Sequence, residues 1–231
     1  MQVKRDRAVM VNQVLDNWLP PVLRDQRWFI APLAWLLFRG KAKVFLEFKE
    51  RAFQMSPQEF ADVYRSIAEV ASMQGDTDLN ERCVEAILSS VIGQSVLDVG
   101  CGRGYLAGRL REVSGKVTGC DIVLGENLEI PDVTFVAATV EALPFADNEF
   151  DTVVCTHTLE HVQHLAASVA ELRRVAARRL IVVVPKQRPY RYTFNLHLHF
   201  FPYAWSLTAA LGPRSGARLA ELGDWVYVED V

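Results

Sequence analysis

Residues Val96 to Leu110 read VLDVGCGRGYLAGRL, an apolar run that ends in an acid and is followed by three glycines and a helical pattern. Gly100, Gly102 and Gly104 have the spacing G-x-G-x-G. Glycines at this place let the backbone turn sharply at a strand end, and they admit a ligand closer to the main chain than a Cβ would allow. The stretch therefore predicts a strand, a tight turn and a helix that bind a nucleotide or nucleoside.

A second acid follows about twenty residues after the turn, as in Rossmann-like sheets that hold a ribose diol with a carboxylate. Lys116 to Asp121 (KVTGCD) reads as a strand that ends in this acid. A dinucleotide site needs G-x-G-x-x-G, because its third glycine lets the helix N-terminus approach the phosphates. Here the third glycine comes one residue earlier and Tyr105 follows it. The spacing favours a ligand without phosphates and disfavours a nucleotide-dependent oxidoreductase.

With these residues the chain resembles the class I S-adenosylmethionine-dependent methyltransferases, in particular the group whose first motif is VLDVGCGxG. Further segments agree in the same order. Residues Phe135 to Val162 (FVAATVEALPFADNEFDTVVCTHTLEHV) are similar to the third strand, the LPF segment, the fourth strand and the LEH loop of that group. Residues Glu171 to Pro185 (ELRRVAARRLIVVVP) are similar to its next helix and fifth strand. The resemblance covers residues 83–231 and implies the methyltransferase fold.

Hydrophobic periodicity predicts an α/β protein with a Rossmann-like, seven-stranded, mostly parallel sheet, helices on both faces and an N-terminal helical extension. We expect residues 1–77 to form the extension and residues 78–231 to form the S-adenosylmethionine-binding domain. Residues 122–132 are too short and too rich in Gly, Asn and Pro for a normal second helix. Helices are predicted at 6–18, 56–74, 78–92, 104–113, 166–177 and 202–211, and strands at 95–99, 116–121, 133–138, 150–156 and 180–184, with a hairpin around Gly223-Asp224.

Composition and charge narrow the class of protein. No apolar run is long enough to span a membrane, and the first residues lack the apolar core of a secretory signal, so a cytoplasmic protein is expected. The four cysteines have unrelated spacings, which favours reduced thiols over disulfides or a metal site.

Residues 1–54 carry ten basic and five acidic groups, whereas the remainder of the chain has a net charge of −8. An acidic catalytic part argues against a nucleic-acid substrate, and the cluster Arg173, Arg174, Arg178 and Arg179 is interpreted as a solvated helix end.

The resemblance implies that the cofactor is S-adenosyl-L-methionine and that the product is S-adenosyl-L-homocysteine. Gly100, Cys101 and Gly102 would line the methionine and sulfonium side, and Asp98 would orient or pair with the ammonium group. Asp121 would accept hydrogen bonds from both ribose hydroxyls, and the alternative for this acid is a helix cap. Four further residues are expected in the cofactor site: Thr139, Val140, Glu141 and Thr156.

One departure from the family pattern concerns the adenine. The family often has GDA where this chain has Ala138-Thr139-Val140. The adenine amine therefore loses a carboxylate acceptor, and Thr139 offers only a hydroxyl. Weaker or differently organised adenine recognition is expected.

Histidines mark the expected acceptor side. His157 and His161 follow the fourth strand, at the carboxyl edge where open α/β sheets place ligands. Because histidine titrates near neutral pH, His157 is the favoured general base for a hydroxyl or ammonium acceptor, whereas a structural role is equally open for His161. His197 and His199 would share one face of an extended segment and would either act on the acceptor or cap a hydrophobic hairpin. No metal ligands are expected.

The segment Trp28 to Phe38 (WFIAPLAWLLF) is almost wholly apolar and has basic residues on both sides. It is too short to span a bilayer, but aromatic residues with basic flanks suit a peripheral contact with a membrane surface. The other interpretation is a lid over the substrate cleft or a contact in a homodimer, and we favour this second interpretation.

Together these features predict a methyltransferase that moves a methyl group to a small-molecule or lipid- or glycan-linked acceptor, at oxygen. The alternative is a catalytically idle methyltransferase-like protein that binds a partner through its apolar extension. The intact glycine turn and ribose acid argue against the idle protein, and the substitution at Thr139 leaves it open.

Overall fold

The computed structural model describes residues 19–68, 77–125, 128–192, 195–212 and 214–231. The chain divides into two compact units, the first formed by Met1–Gly75 with Gln187–Phe200 and the second by Asp76–Lys186 with Phe201–Val231. Residues 187–200 therefore group with the N-terminal part of the chain, a division that the sequence did not predict.

The first unit is helical in its described residues. It contains α1 (Pro21–Arg24), α2 (Arg27–Phe38), α3 (Ala42–Arg51) and α4 (Pro57–Ala68), with single 3-10 turns at Arg39–Lys41 and Ala52–Gln54. The α4 helix begins as predicted, because Ser56 and Glu59 exchange hydrogen bonds in a capping box. The helix predicted at 6–18 and the end of the helix predicted at 56–74 lie outside the described residues. The helical character of the extension is confirmed, although the individual bounds of α1 to α3 were not predicted.

Residues 187–200 are held in the first unit by polar contacts. The Arg191 amide donates a hydrogen bond to Asp25 over 2.7 Å, and the guanidinium of Arg24 lies 3.2 Å from the centre of the Tyr190 ring. Lys49 Nζ donates to the carbonyl of Tyr190. Because these partners are far apart in the sequence, no local pattern could have indicated the grouping.

The second unit contains the seven-stranded sheet that the sequence predicts. Five strands, β1 (Ser95–Val99), β2 (Lys116–Asp121), β3 (Val133–Ala137), β4 (Phe150–Thr156) and β5 (Ala176–Val184), run parallel. The predicted hairpin forms from β6 (Arg218–Glu221) and β7 (Trp225–Asp230), and β7 pairs antiparallel with β5. The strand order is β3-β2-β1-β4-β5-β7-β6. Val99 pairs with Cys120 and with Cys155, so β1, β2 and β4 end at one edge of the sheet.

Helices cover both faces of this sheet, as expected. They are α5 (Glu81–Ser90), α6 (Tyr105–Leu110), α7 (Leu165–Val175) and α8 (Ala204–Leu211). Alternate β1 side chains enter two separate cores, since Leu97 packs with α7 and α8 and Val96 packs with α5 and α6. The Asn80 side chain caps α5 by accepting a hydrogen bond from the Cys83 amide. Between β2 and β3 the described residues form no helix, in agreement with the prediction.

The arginine cluster after the fifth predicted helix is not the solvated helix end that we expected. Helix α7 ends at Val175 and β5 begins at Ala176, so Arg178 and Arg179 belong to the strand. Arg173 forms a two-armed ion pair with the buried Glu229, at 2.6 and 2.9 Å. Arg174 bonds the carboxylates of Glu171 and Asp147, and Arg179 bonds Asp230. These ion pairs connect α7 and β5 to their neighbours.

The described residues contain neither a disulfide nor a helix that could cross a membrane. All four cysteines are buried and unpaired with one another. No helix in these ranges has both the length and the apolar character that a membrane crossing requires.

Candidate active site

The glycine turn after β1 leaves open space next to the main chain. Gly100, Gly102 and Gly104 have φ values of 75°, 51° and 78°, in the left-handed region that favours glycine. A Cβ on Gly100 would lie 1.9 Å from Thr158 Oγ1, so packing excludes a side chain there. A Cβ on Gly102 would meet nothing within 4 Å. Gly100 thus fits against the protein, whereas Gly102 borders a space that a ligand can use.

Asp98 lies at the end of β1, beneath the turn. It is fully buried, and neither carboxylate oxygen makes a hydrogen bond of normal geometry with the described residues. Burial, followed by the charge of Asp121, raises the pKa of Asp98 to about 7, and the Ala107 amide offsets only part of this effect. A buried carboxylate without a compensating cation is costly to the fold and is a strong candidate for binding a positive group.

Asp121, the last residue of β2, fixes the glycine turn. Its Oδ2 accepts a hydrogen bond from the Gly102 amide at 2.9 Å, and its Oδ1 accepts one from the Val123 amide at 3.0 Å. Burial raises the pKa of Asp121, while these amides and the nearby charge of His161 lower it. Each oxygen keeps a second lone pair for a ligand hydroxyl. The alternative of a helix cap has no helix to cap among the described residues that follow.

The remaining predicted cofactor residues lie on the loop beyond β3 and at the end of β4. The Ala138 amide donates to the Asp121 carbonyl, which places Thr139 next to the end of β2. Thr139 forms an isolated bridge with Ala142, and its hydroxyl accepts from the Glu141 amide at 3.5 Å. Glu141 itself accepts from the His164 amide at 2.7 Å, so its carboxylate is occupied by the loop before α7. Two further residues are buried: Val140 in the core and Thr156 at the end of β4.

His157 is a strained and partly buried residue that directly follows β4, with 19% of its side chain exposed. Its φ of 47° is unusual for a residue other than glycine, and its amide donates to the Val183 carbonyl. Its Nδ1 lies 3.5 Å from Glu160 Oε1, and its Nε2 lies 3.6 Å from Asp224 Oδ2. Burial lowers the pKa of His157, but the two carboxylates outweigh burial and raise it to about 10. The two carboxylates favour the protonated ring, and the general-base role that the sequence suggested for His157 stays a prediction.

This charge arrangement predicts a pH-dependent contribution to stability. Because the folded-state pKa lies above the usual value, the contribution is complete below about pH 6.5 and is lost as the pH rises through about 10. We expect His157→Asn, which tolerates a positive φ, to lower the free energy of unfolding by roughly 1–2 kcal/mol at pH 7. Urea titrations at pH 7 and pH 10.5 check this, and an equal deficit at both values would contradict it.

His161 follows in the same loop and is only partly buried. Its Nε2 lies 4.0 Å from Glu160 Oε1, and its charge lowers the pKa of Asp121. The structure therefore brings His161 near the glycine turn, together with Asp98 and Asp121.

His197 and His199 belong to the first unit. His197 is buried, and its Nδ1 lies 2.6 Å from Gln187 Oε1. The His199 ring lies 6.2 Å from the ring of Phe53. Residues 195–200 form no strand, and Leu196 has a φ of 56°, so the regular alternation expected of an extended segment is interrupted.

Three residues of the site were not assigned a role from the sequence. Thr158 packs on Gly100 and donates to the carbonyl of Thr156, at 2.9 Å. Glu160 is fully buried next to His157. Asp224 sits in the β6–β7 turn and also accepts a hydrogen bond from Asn80. Thr158 and Glu160 lie within the loop that the sequence singled out, but the part played by Asp224 depends on a tertiary contact.

Comparison with known proteins agrees with this geometry. Residues 97–183 match a family described as a methyltransferase domain. The chain is 32% identical, over 71% of its length and 76% of the relative, to a demethylmenaquinone methyltransferase of Renibacterium salmoninarum. It is 35% identical to a ubiquinone biosynthesis O-methyltransferase of Paracidovorax citrulli, over 38% of the chain and 41% of that relative.

A solved structure is also similar. The 1,6-didemethyltoxoflavin-N1-methyltransferase of Burkholderia thailandensis, which holds S-adenosylhomocysteine, has a TM-score of 0.56 and 25% identity, over 76% of this chain and 90% of that one. On the sequence relationship and the fold together, the chain belongs to the class I S-adenosylmethionine-dependent methyltransferases, and S-adenosylmethionine is its cofactor.

Proposed function

We propose that this enzyme methylates an oxygen atom of a small aromatic acceptor related to a quinone, free or attached to a lipid. The names of the relatives support this acceptor class, since they are a demethylmenaquinone methyltransferase and a ubiquinone biosynthesis O-methyltransferase. The acidic second unit supports a small molecule over a nucleic acid.

The observation that carries the proposal is the uncompensated carboxylate of Asp98 beneath an open glycine turn. S-adenosylmethionine, when bound, supplies a methyl group on a cationic sulfonium. We infer that Asp98 holds the ammonium of its methionine part, because a cation there would remove the cost of the buried charge. Gly102 would admit the methionine chain to the main chain, and the free lone pairs of Asp121 would accept the ribose hydroxyls.

The adenine end would be held with fewer polar groups than is usual in the family. Thr139 and Val140 follow the contact between Ala138 and Asp121, which brings them to the ribose side. Glu141 would act as a positioning residue, since its carboxylate holds the His164 amide. Recognition of adenine would therefore depend on the Thr139 hydroxyl and on apolar packing.

An oxygen acceptor must lose a proton during methyl transfer, and we assign this step to His161. Its side chain is partly exposed and lies near Asp121, whereas His157 is enclosed by two carboxylates. His161 would accept the hydroxyl proton, and the buried Glu160 would favour the resulting imidazolium. His157 would instead hold the loop in position. The main contribution of the site would be to hold acceptor and methyl group close together.

Methyl transfer from labelled S-adenosylmethionine to a panel of hydroquinones and catechols tests the proposal. We expect O-methylated products, and we expect Asp121→Ala to weaken S-adenosylhomocysteine binding by about tenfold to a hundredfold in calorimetry. Glu149→Ala, an exposed change outside the site, is the matched control. Binding of NAD in place of S-adenosylhomocysteine, or cofactor binding without transfer to any hydroxyl, would contradict the proposed function.

A further inference from the structure

Helix α2 presents apolar residues on both of its sides. Ile30 and Ala34 are buried against Ala42 and Leu46 of α3, within the core of the first unit. The opposite side consists of Trp28, Pro32, Trp35 and Leu36, which we call the α2 face. A helix that is apolar all round is normally buried, so an uncovered side points to a partner.

The α2 face is open to solvent in the described structure. Trp28 is 68% exposed, Trp35 is 54% exposed and Leu36 is 75% exposed. Val22 of the preceding helix α1 is also exposed, to 70%. Two exposed tryptophans spaced seven residues apart lie on the same side of a helix, where their rings can enter one apolar phase.

Exposed cations lie at both ends of α2 and on the neighbouring helix α3. Arg27 begins α2, Arg39 follows its last residue, and Lys43 lies in the first turn of α3. The side chains of Arg27 and Lys43 are 59% and 73% exposed, and both approach Glu47, at 3.7 and 3.9 Å. Glu47 is only 25% exposed, so the acid is withdrawn while the cations face solvent. The exposed cations near α2 would attract a negatively charged surface.

We propose that the α2 face docks on an anionic lipid bilayer, with its tryptophans in the interface and its cations against the headgroups. Aromatic rings next to exposed Arg and Lys are the combination that such interfaces favour. The helix has twelve residues and is about 18 Å long, which is too short to cross the hydrocarbon core. The proposal concerns a partner and a surface, goes beyond the proposed methyl transfer, and does not rest on the identity of the acceptor.

Co-sedimentation with vesicles tests this docking. We expect the protein to pellet with vesicles in which roughly a quarter of the lipid is phosphatidylserine, and to bind pure phosphatidylcholine vesicles about tenfold more weakly. Raising NaCl from about 0.1 M to about 0.5 M should release most of the protein, because exposed charges are screened. The double variant Trp28→Ser/Trp35→Ser should lower the partition coefficient by about tenfold or more.

Matched variants elsewhere on the protein test whether a loss of vesicle binding is specific to the α2 face. Trp205→Ser removes an equally exposed tryptophan from the second unit and should bind vesicles like the parent protein. Arg27→Gln/Lys43→Gln should reduce binding to anionic vesicles by about tenfold, whereas Arg82→Gln/Lys116→Gln should not. All variants should keep the parent affinity for S-adenosylhomocysteine, which verifies folding independently of the acceptor.

Several results would overturn the proposal. The first is a parent protein that does not pellet with anionic vesicles, and the second is binding that does not depend on salt or on lipid charge. The third is a stable dimer in sedimentation equilibrium that dissociates in Trp28→Ser/Trp35→Ser while vesicles retain nothing, which would make the α2 face a contact between two copies of the chain. Failure of methyl transfer to quinols with intact vesicle binding would affect only the proposed function.

Discussion

Asp98→Asn is expected to make the protein more stable at pH 8 and to remove most of its affinity for S-adenosylhomocysteine. The pKa of this acid is raised to about 7, so the folded state holds a proton that the unfolded state has already lost above about pH 4. Stability therefore falls as the pH rises through this window and stays reduced above it. The buried charge of Asp98 lowers the free energy of unfolding at pH 8 by roughly 4 kcal/mol. Asp98→Asn would recover only roughly 1–3 kcal/mol of this loss, because the amide of Asn is itself a buried polar group.

Thermal unfolding across pH checks this first expectation. The melting temperature of Asp98→Asn should exceed that of the parent protein by roughly 3–8 °C at pH 8 and should match it near pH 4. Calorimetry at pH 8 should show affinity for S-adenosylhomocysteine lower by about a hundredfold, because a charge-assisted contact with the ammonium is lost. Asp151→Asn, at a partly buried acid whose pKa is lowered by backbone hydrogen bonds, is the control and should lose stability at pH 8. Lower stability of Asp98→Asn at pH 8 would contradict the expectation.

The variants Gly100→Ala and Gly102→Ala should separate folding from binding. Both positions have positive φ, so each alanine costs roughly 1–2 kcal/mol of backbone strain. At Gly100 the methyl group would also collide with Thr158, which is hydrogen-bonded to the Val99 and Thr156 carbonyls and cannot move freely. We expect Gly100→Ala to lose roughly 3–5 kcal/mol of stability or to fail to fold.

At Gly102 the added methyl group meets no protein atom and instead occupies the space assigned to the cofactor. Gly102→Ala should fold, with a loss close to the strain alone, and should bind S-adenosylhomocysteine at least about a hundredfold more weakly. Circular dichroism melts and calorimetry on the two variants measure both quantities. Parent-like affinity in Gly102→Ala would place the cofactor elsewhere. A stable, binding-competent Gly100→Ala would show that the loop of Thr158 adapts.

The sheet and the glycine turn could be predicted because the sequence patterns that specify them lie within short, continuous stretches of the chain. Strand β1 is a short apolar run with Asp98 next to its last residue, and β2 is a similar run that ends in Asp121. The hairpin of β6 and β7 has alternating residues around a turn at Gly223 and Asp224, which is typical of such a connection. The Gly-, Asn- and Pro-rich residues after Asp121 likewise predicted that no regular helix follows β2, and the described residues there form none.

The remaining features depend on contacts between distant residues. The contact between His157 and Asp224 could not be predicted, because Asp224 belongs to a turn 67 positions later in the sequence. Arg173 looked solvated because Glu229, which is 56 positions away, is invisible to local periodicity. The apolar run from Trp28 to Phe38 gave no indication of which side would be buried. Its division into a packed side and an exposed side follows from the packing of α3 against Ile30 and Ala34.

The burial of every cysteine has a consequence for how the enzyme meets oxidants. Burial raises the thiol pKa of Cys120 to about 12 and that of Cys155 well above the usual value, so reactive thiolate is almost absent while the chain is folded. Peroxide and disulfide reagents attack the thiolate and need access to the sulfur. The cysteines of the folded enzyme should therefore react very slowly with such reagents. Oxidation of these thiols is expected in molecules that have unfolded locally or globally.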